Sequence, residues 1–279
     1  MQQSKERLEV LEKIKKFEEL GKFNDDVEID APAKPIKPNE VDYTIKKLRS
    51  KIATSIANRL GTMYFESMIK KQKFIIKEII GLENFKEVSG GVILTCNHFN
   101  LRDNYAIYRA IKPALKKHQY LFKVIKESNY TNFKGVVRLM MRHCNTLPLS
   151  SDFQTTKKFY QSIEELLKRG EKILIYPEQS MWWNYKKPRP LKKGAFSLAV
   201  KNNAPIVPCF ITMKDSKILD DDGFFVQEYT IHIFPAIYPN KSLSEKEQIE
   251  KLMEQNYTLW KDCYEKTYNT KLEYNTIKS

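Results

Sequence analysis

An apolar run, Val92–Cys96, leads straight into Asn97-His98-Phe99-Asn100-Leu101-Arg102-Asp103. Imidazole is the side chain whose ordinary proton affinity suits acid–base work near neutral pH. The end of a strand is where α/β folds place ligands. A loop that turns into a helix near Asn100 puts Asp103 about one helical turn in, within reach of His98. A carboxylate on Nδ1–H fixes the tautomer and leaves Nε2 to take a proton. No nucleophile stands in the motif, so the implied chemistry is activation of a substrate hydroxyl, worth roughly 10²–10⁴-fold in rate. The bland reading of the same pair is a histidine–aspartate hydrogen bond that caps a helix.

A second apolar run, Ile173-Leu174-Ile175-Tyr176, enters Pro177-Glu178-Gln179-Ser180. Glu178, just past a strand end, is either a ligand for a substrate hydroxyl or an acid on a surface loop. Trp182 and Trp183 follow, as an exposed apolar contact or as part of a packed loop. Further on, Lys192-Lys193-Gly194 opens a helical pattern. Lysines there oppose the helix dipole unless an anion sits beside them, which favours a bound phosphate or acidic head group. There is no Gly-x-Gly-x-x-Gly and no Gly-Lys-Ser/Thr loop, so neither dinucleotide nor P-loop nucleotide binding is indicated.

The elements that must carry these residues alternate. Strands are expected at 92–96, 120–125, 172–176, 206–212 and 226–237. Helices are expected after Asp103, near 133–142, and at 151–169, 194–202 and 244–268. Strands alternating with helices imply an α/β fold with a mixed, largely parallel sheet flanked by helices. An amphipathic helix over 4–21 precedes it, ended by Gly21, followed by the proline-containing linker 31–40. In residues 43–80, Ile45, Leu48, Ile52, Ile56, Leu60 and Met63 make one helical stripe. After Gly61, Ile69, Ile75, Ile76, Ile79 and Ile80 suggest a second helix that stops at Gly81. Three parts follow: a helix and linker at 1–42, basic amphipathic helices facing a membrane at 43–82, and an α/β domain at 83–279.

Composition narrows the class. Of 279 residues, 42% are hydrophobic and 12% aromatic, too apolar for a disordered chain. The net charge of +14 is unevenly placed. Residues 43–80 carry nine lysines and arginines against two acids, and residues 184–193 carry five against none. Such patches attract nucleic acid, an anionic membrane or a phosphate-bearing substrate, and basic amphipathic helices commonly lie in a membrane interface. No apolar stretch is long enough to span a bilayer, and MQQSKERLEV has no signal-peptide core. The four cysteines and four histidines are scattered, so neither a disulfide framework nor a metal site is expected. A cytoplasmic protein bound to the inner membrane face is the reading that follows.

Taken in order, these features resemble the glycerolipid acyltransferase family, which includes the lysophosphatidate acyltransferases. Asn97, His98 and Asp103 match its Asn-His-x-x-x-x-Asp motif. Tyr176-Pro177-Glu178-Gln179-Ser180-Met181-Trp182 stands where the family usually has Phe-Pro-Glu-Gly-Thr-Arg-Ser. The helix start at Gly194 and the proline-flanked strand at 205–209 also match, and the resemblance covers about 93–212. It implies transfer of a fatty acyl group from acyl-CoA or acyl carrier protein to the hydroxyl of a lysolipid such as 1-acylglycerol-3-phosphate. His98 would be the base and Asp103 its orienting partner, with backbone N–H groups after His98 holding the oxyanion. Asn97, Glu178 and Ser180 would line the acceptor site, and Arg189, Lys192 and Lys193 would neutralise phosphates. The implied partners are the lipid acceptor, the thioester donor and an anionic membrane surface, with no resident cofactor, no metal and no nucleic acid.

Two departures bear on the acceptor. Gln179 and Met181 replace the family's Gly and Arg, and Leu147-Pro148-Leu149-Ser150-Ser151 lacks the arginine of the second motif. Those arginines hold the acceptor phosphate in the family. Arg102, Arg142, Lys157, Lys158 or the 186–193 cluster would have to replace them, or the acceptor lacks a phosphate. A basic membrane- or nucleic-acid-binding protein without catalysis is the alternative of another class.

Overall fold

The computed structural model describes residues 2–28 and 31–277. Its centre is a seven-stranded sheet with strands β1 (Ile75–Ile80), β2 (Val92–Thr95), β3 (Leu121–Ile125), β4 (Thr146–Pro148), β5 (Lys172–Ile175), β6 (Ile206–Leu219) and β7 (Phe225–Ile233). They lie side by side in the order β1-β7-β6-β2-β5-β3-β4. β6, β2, β5, β3 and β4 run parallel, while β7 is antiparallel to β6 and carries β1 parallel to itself. The expected mixed, largely parallel sheet is therefore present.

β2 and β5 are buried along their whole length, the pattern of strands covered on both faces. Alternate side chains divide between two cores, as the two-residue period of a strand requires. Val92, Leu94 and Leu174 pack under α4 (Asp103–Ile111). Ile93, Ile173 and Ile175 face α7 (Phe153–Lys168), α8 (Gly194–Asn202) and α9 (Glu245–Tyr268). Asp152 caps α7 through Thr155 N–H at 2.9 Å, and Ser244 with Glu247 forms a capping box on α9. The short helices α3 (Leu82–Lys86) and α5 (Glu127–Thr131) and strand β4 are too brief to show a period and were not legible in the sequence.

Residues 43–80 depart from the expectation. α2 (Leu48–Lys70) runs unbroken through Gly61, which is buried where α6 (Gly135–His143) packs alongside. A Cβ on Gly61 would stand 3.5 Å from Met140 Cε and Cys144 Sγ. The second helix does not form. Ile75–Ile80 is strand β1, paired in parallel with β7 from Ile75 opposite Glu228 to Ile80 opposite His232. β-branched isoleucines favour a strand, and in a segment as short as Ile-Ile-Lys-Glu-Ile-Ile the isoleucine spacing fits either periodicity. The sheet thus begins at Ile75, before the boundary drawn at residue 83.

The N-terminal part is also more than a helix and a free linker. α1 (Lys5–Glu19) buries Val10 and Ile14 against Phe23, Val27, Trp182 and Trp183. Ile36 is buried, and its carbonyl accepts from Thr155 Oγ1 at 2.7 Å. The prolines of 31–40 keep the segment out of regular structure, and its backbone groups are paired by side chains of the domain instead.

Candidate active site

Thr95 of β2 is in register with Ile175 of β5, so the two chain segments that follow leave the sheet side by side. Asn97 continues β2 beyond its last pair. Its Nδ2 donates to Ile211 O at 3.0 Å and its Oδ1 accepts from Ile211 N–H at 2.8 Å. That amide fixes where His98 begins.

Asp103 opens α4, fully buried, and its carboxylate collects four donors. Oδ2 lies 2.9 Å from His98 Nδ1 and accepts from Phe99 N–H at 3.2 Å and Asn100 N–H at 3.3 Å. Oδ1 accepts from the Tyr176 hydroxyl at 2.9 Å. A carboxylate only accepts, so Nδ1 carries its proton toward Asp103 and Nε2 is left with its lone pair. Nε2 has no hydrogen-bond partner among the described residues, and the His98 side chain remains 16% exposed. Tyr176 lies flat on the imidazole, ring centroids 4.1 Å apart and planes 19° from parallel.

Glu178, Ser180 and Arg189 lie beside this pair, closed off from solvent. Arg189 is 1% exposed and Glu178 2%, joined at 3.0 Å, and Glu178 also takes the Arg189 N–H at 2.8 Å and the His98 N–H at 3.0 Å. The guanidinium reaches Ser180 Oγ at 2.8 Å, Phe23 O at 3.0 Å, His98 O at 3.3 Å and the Ser180 carbonyl. Burial lowers its proton affinity, which Glu178 counters. With Asn97, these residues have their polar atoms engaged within the chain. Through Glu178 and Arg189 they hold the N–H and the carbonyl of His98. Trp182 and Trp183 are buried against α1, so the packed-loop reading holds for both and the exposed contact does not.

The other expected residues are dispersed. Arg102 pairs with Asp220 at 2.9 Å; burial works to raise the Asp220 carboxyl, but that guanidinium holds it below its usual value. Arg142 stacks on Tyr130 at 4.8 Å, in a hollow of about 300 Å³ shared with Arg49 and His143. Lys192 N–H binds Pro177 O at 2.8 Å, and Lys193 is exposed at the N-cap of α8. Neither lysine lines a cavity that also holds Arg102. Phe99 and Asn100 N–H, expected to hold an oxyanion, are already bound to Asp103.

A cavity of about 890 Å³ begins at Asn100 and Arg102 and continues under α2 and α6 past Phe65, Leu60, Val136 and Met140. His98 itself does not line it, but the loop that holds His98 does. Trp183 and Asn184 also line it, and Asn184 N–H donates to Phe99 O at 3.1 Å. Nothing in the sequence marks this space, because its walls come from segments far apart along the chain.

Residues 77–212 match the family model described as Acyltransferase. Among solved structures, the chain is similar to the 1-acyl-sn-glycerophosphate (LPA) acyltransferase PlsC from Thermotoga maritima. That match has a TM-score of 0.53 and 18% identity over 83% of this chain and 87% of that one, a likeness of fold. The pilus retraction motor PilT with bound ADP aligns at a TM-score of 0.29 and 10% identity over 71% of this chain and 66% of its own, too little to carry an argument. No curated protein sequence matches the chain.

Proposed function

From the match of residues 77–212 to the Acyltransferase family model, we propose that this chain moves a fatty acyl group from an acyl thioester, acyl-CoA or acyl carrier protein, to the free hydroxyl of a lysophospholipid. The observation that carries this reading is the His98–Asp103 contact of 2.9 Å with Nε2 left unpartnered at a strand end. His98 Nε2 takes the hydroxyl proton as the oxygen attacks the thioester carbonyl. The tetrahedral intermediate collapses, the C–S bond breaks, and the imidazolium returns its proton to the leaving sulfur, giving an ester and a free thiol. Asp103 stabilises the imidazolium in between. In the 98–101 loop, the Leu101 N–H has no acceptor among the described residues and is the backbone donor available to the oxyanion. The PlsC fold and the apolar cavity beside the loop support a lipid substrate.

A second acceptor class has its own observation. Where the family's second motif has an arginine, Ser150 and Ser151 converge on a carboxylate: Ser150 Oγ donates to Glu127 at 2.7 Å and Ser151 Oγ at 2.9 Å. Arg102 is already neutralised by Asp220. This favours an acceptor without a phosphate, a glycolipid or amino-lipid. One assay decides between them: acyl-CoA and acyl carrier protein donors against a panel of lysophosphatidic acid, lysophosphatidylcholine and hydroxyl-bearing glycolipids, with products read by mass. Acyl transfer to a lysolipid is the expected result; hydrolysis of the thioester with no acylated lipid would reject both readings.

A basic α2 with an outward apolar stripe supports docking on an anionic membrane surface from the cytoplasmic side. Among the described residues, no helix is long and apolar enough to cross a membrane.

A further inference from the structure

The fourth donor on Asp103 comes from outside its own motif. Tyr176 stands where the resembled family has phenylalanine, and its hydroxyl reaches Asp103 Oδ1, the oxygen that His98 does not use, at 2.9 Å. The same ring stacks on the imidazole at 4.1 Å. One side chain therefore holds both members of the pair, the ring through its face and the carboxylate through its phenol. We infer that Tyr176 is a positioning residue that fixes the imidazole plane and limits the basicity of His98. This rests on the reading of His98 as the base.

The sign follows from charge. Asp103 has no contact with water, so its negative charge is balanced only by the donors around it. A phenol on Oδ1 draws charge toward that oxygen and away from Oδ2, and so weakens the carboxylate's hold on an imidazolium. Remove the phenol, and the charge on Oδ2 favours the imidazolium more strongly. Burial, with Asp103 beside it, pushes the Tyr176 phenol well above its usual value, so it stays a donor throughout the working range. The other titratable groups facing the pair are accounted for. Burial raises the Cys96 and Cys209 thiols and the Tyr229 phenol, which stay neutral. Glu178 and Arg189 meet His98 through its backbone and balance each other, and Arg102 is paired with Asp220.

The test is Tyr176→Phe, which keeps the stacking ring and deletes only the donor. Proton NMR of the four histidine ring signals, with His98 assigned by its loss in His98→Ala, gives the His98 titration midpoint without any turnover. Its midpoint is expected to rise by about one pH unit, a tenfold gain in imidazole basicity. The acid limb of kcat/KM is expected to move up with it, with KM for both substrates unchanged. Tyr176→Leu, which also removes the ring, should lower kcat at every pH. An unmoved midpoint in Tyr176→Phe overturns the inference. A raised midpoint together with near-normal turnover in His98→Ala leaves the Tyr176 contact standing and rejects instead the use of His98 as the base.

Discussion

Arg189 holds the site together from behind. It bonds the carbonyl of His98, the Ser180 side chain and the Phe23 carbonyl, and it is the counter-charge to buried Glu178. Arg189→Met leaves that carboxylate charged in the interior, a change that costs about 3–5 kcal/mol. Urea unfolding is expected to show that loss, whereas Lys193→Met, at an exposed position, should stay within about 0.5 kcal/mol of the parent. A parent-like midpoint for Arg189→Met would mean the pair is not structural. At this scale the sequence showed part of the site. The five-residue step from His98 to Asp103 was enough to predict contact, because a strand end and a first helical turn bring those positions together. Glu178 and Arg189 were visible as charges, but nothing in their order along the chain says that one buries the other. Tyr176 was in plain view and carried no signal beyond its apolar ring.

At the scale of elements, one carboxylate is prominent among the groups that hold the 31–40 segment. Glu127 accepts from Ile36 N–H at 2.8 Å and from Ser150 and Ser151. Burial works to raise its proton affinity, but those donors hold it below its ordinary value of 4.5. A lowered carboxyl stabilises the fold fully above that ordinary value and loses the contribution as pH falls through the folded one. Hydrogen exchange at Ile36 is therefore expected to be slow at pH 7 and to quicken on acidification below about pH 4.5 relative to the core strands. Glu127→Ala should bring the same quickening at pH 7. Unchanged exchange in that variant would show that the segment is held by other contacts. The prolines of 31–40 agree with its lack of helix and strand, but they say nothing of its docking, since its partners sit about a hundred residues away. The reverse error occurred at Ile75–Ile80, where isoleucines at helical spacing turned out to alternate in a strand. Only the pairing partner β7 decides between the two, and that is a long-range fact.

For the whole molecule, one of the two basic patches coincides with a stripe of exposed apolar residues. α2 turns Thr54, Ala57 and Gly61 inward, while Leu48, Ile52, Ile56 and Met63 stand between 50% and 73% exposed, flanked by Lys51 and Arg59. The stripe was legible in the sequence, but its direction was not: small residues, not large ones, face the neighbouring helix α6. Ile52→Glu with Ile56→Glu is expected to weaken binding to vesicles containing anionic phospholipid by about tenfold or more, without lowering the melting temperature. Vesicle co-sedimentation reads this, and parent-like binding would place the membrane contact elsewhere. The account as a whole stands on the imidazole at the end of β2. The most direct measurement is kcat/KM of purified, folded His98→Ala for acyl transfer from acyl thioester to its lysolipid acceptor. The account predicts a fall of roughly 10²–10⁴-fold with an unchanged melting temperature; turnover close to the parent enzyme would contradict it.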